Sequence, residues 1–126
     1  MTQYLLDTHV LLWALAEPKR IKPKVRALLE DTDNQLVVSV ASLWEIAIKS
    51  SIGKMQDLPE DVTPLLKEHY TLLNISYKDI LYIRHLPMIH RDPFDRMLVA
   101  QAQQNKLPII TRDKQISAYN VKIIIA

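Results

Sequence analysis

Residues 90–102 read HRDPFDRMLVAQA, and this stretch has the features of a helix with a well-defined start. The Asp92 carboxylate can accept hydrogen bonds from the free N–H groups of the first turn. Pro93 suits the first helical position, because no hydrogen bond is lost there. The apolar residues that follow at offsets of three and four are Phe94, Met97, Leu98 and Ala102. This spacing predicts one buried helix face. A helix start needs one acid, so the second acid, Asp95, requires another explanation.

The composition indicates a single globular domain over residues 1–126. Apolar residues make up 48% of the chain and charged residues 24%, which is ordinary for a globular protein. The net charge of +2 permits a nucleic-acid partner without arguing for one. The absence of cysteine excludes disulfides, cysteine-ligated zinc and thiol nucleophiles. Gly53 is the one glycine, so a glycine-rich nucleotide-binding loop is excluded as well.

Nothing in the sequence indicates a membrane or an export signal. The N-terminus lacks a basic leader, and Asp7 interrupts its apolar run. No uncharged apolar run approaches the length needed to span a bilayer. We therefore expect a cytoplasmic protein with no membrane partner.

Strand and helix patterns alternate along the chain. Apolar and β-branched runs predict strands at 4–6, 36–38, 72–75, 108–111 and 121–125. Helical spacing and capping residues predict helices at 8–16, 23–31, from Ser39 or Ser42 to 52, 60–70, 77–84 and 93–106, with a helical turn after Asp113. This alternation predicts an α/β fold in which helices cover both faces of a mainly parallel sheet of four to five strands.

Four acids fall where such a fold brings chain segments together. Asp7 follows the first strand, Asp113 follows the fourth, Asp95 lies in the first turn of its helix, and Glu45 lies two turns into another helix. Ligands of open α/β sheets bind at the carboxyl ends of the strands. Acids that converge there repel one another, and a divalent cation such as Mg²⁺ or Mn²⁺ relieves the repulsion. Such a site suits phosphodiester hydrolysis, with one ion activating water and a second steadying the leaving oxygen.

Each acid also has a simpler structural interpretation. Asp7, Asp92 and Asp113 are all suited to capping helices. Glu45 can pair with the lysine four residues later, and Asp95 can interact with the helix dipole. The combination of acids, rather than any one of them, favours a functional site.

Four blocks of the sequence together resemble the signature motifs of PIN-domain ribonucleases. They are LLDTHVLLW at 5–13, SLWEIAIK at 42–49, HRDPFDR at 90–96 and TRD at 111–113. The resemblance includes VapC-type toxins of bacterial toxin–antitoxin pairs. It implies a three-layer α/β/α PIN-like fold and RNA cleavage that depends on Mg²⁺ or Mn²⁺. It also implies a homodimer and inhibition by a small antitoxin protein.

The resemblance further implies which residues form the site. It assigns catalysis and metal binding to Asp7, Glu45, Asp95 and Asp113. Asp92 is either an alternative ligand or a helix cap. Thr8 and Thr111 match positions where hydroxyl groups support the site.

The basic and aromatic residues leave alternatives open. Arg91, Arg96 and Arg112 flank the acids and either bind substrate phosphates or are ion-paired or solvated. The basic cluster at 19–26 either follows an RNA backbone or forms a solvated surface. Trp13 and Trp44 lie in apolar helices and are expected in the core.

The histidines lack a zinc-binding pattern. His90, which is near the acids, either contributes to the site or forms a hydrogen bond to the backbone, and we expect the hydrogen bond.

Two other classes of function compete with a nuclease. A phosphoacceptor signalling domain also gathers acids and Mg²⁺ at strand ends. It usually shows paired acids after the first strand and a late Lys-Pro, whereas here Thr8 follows Asp7 and no Lys-Pro lies near the C-terminus. In a non-catalytic interaction domain, the acids would be helix caps alone.

Overall fold

Five parallel strands form the central sheet of the structure, a computed structural model that describes residues 2–60 and 70–126. The strands are β1 (Gln3–Leu6), β2 (Gln35–Ser39), β3 (Tyr70–Leu73), β4 (Ile109–Thr111) and β5 (Ile123–Ile125). Their order across the sheet is β3-β2-β1-β4-β5, and every neighbouring pair is parallel. The predicted parallel sheet is therefore confirmed, with five strands.

The helices begin where the sequence supplies a capping side chain or a proline. They are α1 (Thr8–Ala16), α2 (Pro23–Glu30), α3 (Val40–Ser51), α4 (Tyr77–Tyr82) and α5 (Pro93–Asn105). Short 3₁₀ turns follow at Pro18–Arg20, Ile83–His85 and Lys114–Tyr119. Within the described ranges, no helix has the length and apolar character required to cross a membrane.

Successive side chains of the central strands pack alternately into two separate apolar cores. Leu6 and Val38 belong to a core with residues of α1, α2 and α3. Leu5 and Val37, their neighbours in sequence, belong to a second core with residues of α5. Successive residues of a strand point to opposite faces of the sheet, so both faces are covered by helices. The three-layer α/β/α fold is thereby confirmed.

The strand order places a topological switch beside β1, the middle strand. From β1 the chain passes to β2 and β3 on one side, and later to β4 and β5 on the other. The carboxyl ends of β1, β2 and β4 therefore lie next to one another. In open α/β sheets, this is where a binding crevice forms.

The third strand lies two residues earlier than the sequence predicted. It spans Tyr70–Leu73 instead of 72–75, because Ser76 and Asp79 form a capping box that starts α4 and the strand ends before it. The helix predicted at 60–70 falls almost wholly on residues 61–69, which lie outside the described residues, and its last residue belongs to β3.

Helix α3 is less buried than predicted. Trp44 is 58% exposed and does not belong to the core. Ile48 and Ile52, one and two turns further along, are also exposed, so the three form an apolar stripe on the outer face. The buried face carries Ser42 and Glu45 beside Ala41 and Ile46. Trp13, in contrast, is buried as expected.

Candidate active site

A cleft of about 120 Å³ lies at the carboxyl edge of the sheet. Its lining residues come from α1, α3, α5 and the segments that follow β1, precede α5 and follow β4. They are Asp7, His9, Glu45, Lys49, Asp92, Asp95, Arg112 and Asp113. The structure thus brings the four acids selected from the sequence to one cleft, together with Asp92.

Asp7 combines a helix cap with a place in the cleft. Its Oδ1 accepts a hydrogen bond from the backbone N–H of His9 at 2.9 Å, which caps α1. Its Oδ2 accepts one from the Thr111 hydroxyl at 2.6 Å. Burial raises the pKa of Asp7 even though both hydrogen bonds act in the opposite direction. A cation at this carboxylate would therefore favour its charged form.

Glu45 is buried with both carboxylate oxygens engaged. Oε1 accepts a hydrogen bond from the Thr8 hydroxyl at 2.7 Å, and the same hydroxyl oxygen lies 3.0 Å from Oγ of Ser42. Oε2 lies 2.6 Å from Nζ of Lys49. The helical ion pair considered from the sequence and the place in the cleft are therefore both present.

Lys49 also joins α3 to the start of α5. Its Nζ lies 3.6 Å from Oδ2 of Asp92. The other oxygen of Asp92 accepts hydrogen bonds from the backbone N–H groups of Phe94 and Asp95 at 2.8 and 3.2 Å, so Asp92 caps α5. The hydrogen bond to Glu45 raises the pKa of Lys49, which therefore remains charged.

Asp95 differs from the other acids of the cleft in its hydrogen bonding. Within residues 2–60 and 70–126, no hydrogen-bond donor contacts its carboxylate. Burial, and then the charges of Asp92, Asp7 and Glu45, raise the pKa of Asp95 to about 7. A group in this state binds a cation readily, because the cation removes the cost of ionisation.

Asp113 is held by a chain of hydrogen bonds from the far side of the cleft. Its Oδ2 lies 2.8 Å from Nε2 of His90, and Nδ1 of His90 lies 3.1 Å from the hydroxyl of Tyr119. The Tyr119 hydroxyl oxygen accepts a hydrogen bond from the backbone N–H of His90 at 2.5 Å. The hydroxyl proton of Tyr119 can therefore be donated to Nδ1 of His90. In that tautomer the ring proton is on Nε2, which donates it to Asp113.

The two acids nearest His90 have pKa values displaced in opposite directions. Burial raises the pKa of Asp113, but the hydrogen bonds from His90 and from the backbone N–H of Gln115 outweigh it, and the net pKa is lowered. Asp113 therefore carries its charge at a pH where Asp95 remains largely protonated.

The donor set fits a divalent cation. Single ligand atoms of His90, Asp95 and Asp113 all lie within 4.8 Å of one another. The carboxylates of Asp7 and Glu45 line the same cleft. Carboxylate oxygens are hard ligands that suit Mg²⁺ and Mn²⁺, whereas both ring nitrogens of His90 are already engaged by Asp113 and Tyr119.

The three arginines near the acids differ in position. Arg112 lines the cleft, with its guanidinium 5.6 Å from the ring centroid of Trp13. Arg91 is exposed and lies outside the cleft lining. Arg96 is buried and donates to the backbone carbonyls of Pro87 and Ile83 at 2.8 and 3.3 Å. Arg96 therefore fixes the segment before α5, a position that favours a structural role over the phosphate contact considered from the sequence.

Sequence reasoning did not select three of the residues at the site: His9, Lys49 and His90. Lys49 lies one turn after Glu45, which indicates an ion pair but not a shared cleft. His90 was assigned a backbone hydrogen bond. Its ring instead contacts Asp113 and stacks on Tyr119 at a centroid distance of 5.3 Å. These contacts depend on tertiary structure, and the local pattern carries no signal for them.

Comparisons with known proteins agree on one family. The profile of the PIN domain matches residues 4–122. A protein named Ribonuclease VapC22, from Mycobacterium tuberculosis, is 29% identical over 122 residues, which cover 94% of this chain and 93% of that protein.

Similar solved structures include VapBC2 from Rickettsia felis bound to a DNA fragment from their promoter, with a TM-score of 0.73, 14% identity and 98% of each chain covered. FitAcB from Neisseria gonorrhoeae has a TM-score of 0.65 and 19% identity, with 96% of each chain covered. At these identities the likeness supports the fold.

The first prediction concerns the pH dependence of stability and Asp95. The folded chain binds the Asp95 proton more tightly than the unfolded chain, whose aspartate pKa is about 4. The contribution of Asp95 to wild-type stability therefore falls as the pH rises from about 4 through 7. Asp95→Asn abolishes this titration. In thermal unfolding with a chelator, the melting temperature of the variant relative to wild type should rise over that interval and then level off. Curves of wild type and variant that remain parallel over that interval would contradict the assignment.

The second prediction concerns the link between His90 and Asp113. His90→Ala removes the hydrogen bond that helps to keep the pKa of Asp113 low, so that pKa should rise. Carboxyl ¹³C chemical shifts followed by NMR across a pH titration measure this directly. His85→Ala removes an exposed histidine outside the cleft and should leave the titration unchanged. An Asp113 pKa that is the same in His90→Ala and wild type would refute the link.

Proposed function

This chain belongs to the PIN-domain family, and from that premise we propose that it is an endoribonuclease that hydrolyses RNA phosphodiester bonds with Mg²⁺ or Mn²⁺. The observation that carries the proposal is the meeting of Asp7, Glu45, Asp95 and Asp113 in one cleft. These acids come from four separate segments of the chain, so local structure does not account for their meeting. The name of the M. tuberculosis relative, a ribonuclease, supports the same activity.

In this proposal the acids hold the cation and neighbouring side chains hold the acids. Thr111 orients Asp7, Thr8 orients Glu45, and His90 orients Asp113. When bound, the divalent ion would supply the positive charge that makes a water more acidic and offsets the charge on a phosphate. Asp92 caps α5 and pairs with Lys49, which favours this role over that of an ion ligand.

We assign substrate binding to Arg112, an exposed cationic side chain in the cleft lining. Arg112 presents a guanidinium beside the acids, and guanidinium groups contact phosphate oxygens in nucleic-acid complexes. Arg91, exposed and just before the cap of α5, is a second and more distant phosphate contact in this proposal. An RNA substrate is consistent with a cytoplasmic location.

We further propose that the protein is the toxin of a toxin–antitoxin pair and forms a homodimer. A solved toxin–antitoxin complex from Klebsiella pneumoniae is similar in structure, with a TM-score of 0.64 and 20% identity. The match covers 96% of this chain and 95% of the chain in that complex. Exposed apolar residues at helical spacing on α4 form a patch suited to a partner, and two more exposed apolar residues follow the helix. They are Tyr77, Ile80, Leu81, Met88 and Ile89. The stripe of Trp44, Ile48 and Ile52, along α3 and its C-cap, offers a second surface, which we assign to the small antitoxin protein.

The third prediction tests the nuclease. Asp7→Asn removes a buried carboxylate from the proposed ion site, and RNA cleavage with Mn²⁺ should fall by about a hundredfold or more, because a metal ion supplies several kcal/mol of transition-state stabilisation. Far-UV circular dichroism should show that the variant is folded. Asp33→Asn, which makes the same change at an exposed turn, should cleave like wild type.

A fully active Asp7→Asn would refute the role of that residue. Two other outcomes would favour the competing classes of function. A stable aspartyl-phosphate after incubation with a small phosphodonor would indicate a signalling domain. A melting temperature unaffected by Mn²⁺ would indicate an interaction domain whose acids are caps.

The fourth prediction tests the homodimer and its surface. Light scattering on the purified protein should give twice the 14.6 kDa mass of one chain. Ile80→Asp places a charge in the patch on α4 and should yield a monomer, because an unpaired charge is costly in an apolar interface. Ile52→Asp, on the stripe of α3, should remain dimeric. A monomeric wild type, or a dimer that tolerates Ile80→Asp, would contradict the proposal.

A further inference from the structure

Lys49 places an ammonium group inside the acidic cleft. Its Nζ is 2.6 Å from Oε2 of Glu45 and 3.6 Å from Oδ2 of Asp92, and its side chain is 31% exposed. The nitrogen also lies 6.0 Å from the ring centroid of Phe94, which itself packs edge-on against Trp44. The ammonium is therefore held by contacts with both α3 and the first turn of α5.

This placement divides the acids of the cleft into two groups. Glu45 and Asp92 face the ammonium, and their other oxygens are taken by the Thr8 hydroxyl and by the backbone of α5. Asp95 has no donor among the described residues, and one of its oxygens lies within 4.8 Å of an oxygen of Asp113. Asp7 influences Asp95 electrostatically and lies in the same lining. Lys49 thus supplies an ammonium to Glu45 and Asp92, whereas no cationic side chain among the described residues reaches Asp95, which shares the cleft with Asp7 and Asp113.

A second divalent ion would compete directly with the lysine. In two-metal sites the ions are about 3.5–4 Å apart and share carboxylate ligands. A second ion that used Glu45 as a ligand would have to displace Lys49 or Thr8, which already engage its two carboxylate oxygens. A compact ammonium at hydrogen-bond distance from the same carboxylate also repels an incoming divalent ion.

We infer that Lys49 takes the place of a second metal ion, so that the cleft binds a single divalent cation between Asp7, Asp95 and Asp113. This inference rests on the proposed metal-dependent function and assigns the charges within the same site. Lys49 and Glu45 then form a fixed part of the site, with the ammonium providing the positive charge on the side of the cleft toward α3.

The test is the number of Mn²⁺ ions bound per chain, measured from the loss of the free Mn²⁺ signal in electron paramagnetic resonance. Wild type should bind one ion at saturation. Lys49→Gln frees Glu45 and removes the repulsion, and should bind two ions over the same Mn²⁺ range. Lys49→Met, which keeps much of the aliphatic stem beside Phe94, should also bind two. Lys49→Arg retains the charge and should bind one.

Lys54→Gln is the matched control, because it removes an exposed lysine close in sequence and should bind one ion. Melting temperatures of all variants establish that they are folded. Two ions in wild type, or one ion in both Lys49→Gln and Lys49→Met, would overturn the inference while leaving metal-dependent cleavage intact. No Mn²⁺ bound by wild type would instead contradict the proposed function, and the inference with it.

Discussion

Mutual repulsion among carboxyl groups that share one cleft is the constraint on which the rest of this site depends. Each acid is accommodated by a different neighbour: Asp7 by the Thr111 hydroxyl, Glu45 by Lys49, and Asp113 by His90. Asp95 has no such neighbour among the described residues, and its pKa is raised accordingly. In our account, Asp95 is the point at which the protein leaves carboxylate charge unbalanced, and this gives the cleft its affinity for a cation.

Helix capping and site formation use different oxygens of the same side chains. In Asp7 one oxygen caps α1 and the other accepts from Thr111. In Asp92 one oxygen caps α5 and the other faces Lys49. In Asp113 one oxygen caps a 3₁₀ turn and the other contacts His90. The sequence left capping and a place in the site as alternatives for these acids. The geometry shows that each acid makes a capping contact and a cleft contact at the same time.

Local rules predicted the elements that place the acids. Prolines and capping residues marked the starts of α2 and α5, and apolar runs marked all five strands, because these signals act within a few residues. The meeting of the acids followed from the rule that ligands bind at the carboxyl ends of parallel strands. The start of β3 was missed by two residues, because its register is set by pairing with β2, which is distant in sequence.

Side-chain environments on α3 and α5 were harder to predict, because they depend on what packs against each helix. Glu45 is buried and Trp44 exposed, which reverses the usual preferences of these residue types. Arg96 is turned toward backbone carbonyls, although its sequence position beside the acids suggested a phosphate contact. The ring of His90 reaches Asp113 across 23 residues of sequence. Such departures from local expectation are most frequent at functional sites.

The most direct test of the shared cleft is anomalous X-ray diffraction from crystals soaked in Mn²⁺. Our account predicts a manganese peak at the carboxyl edge of the sheet, within coordination distance of carboxylate oxygens from Asp7, Asp95 and Asp113. A saturated crystal with no manganese in the cleft, or with these carboxylates on separate surfaces, would contradict it.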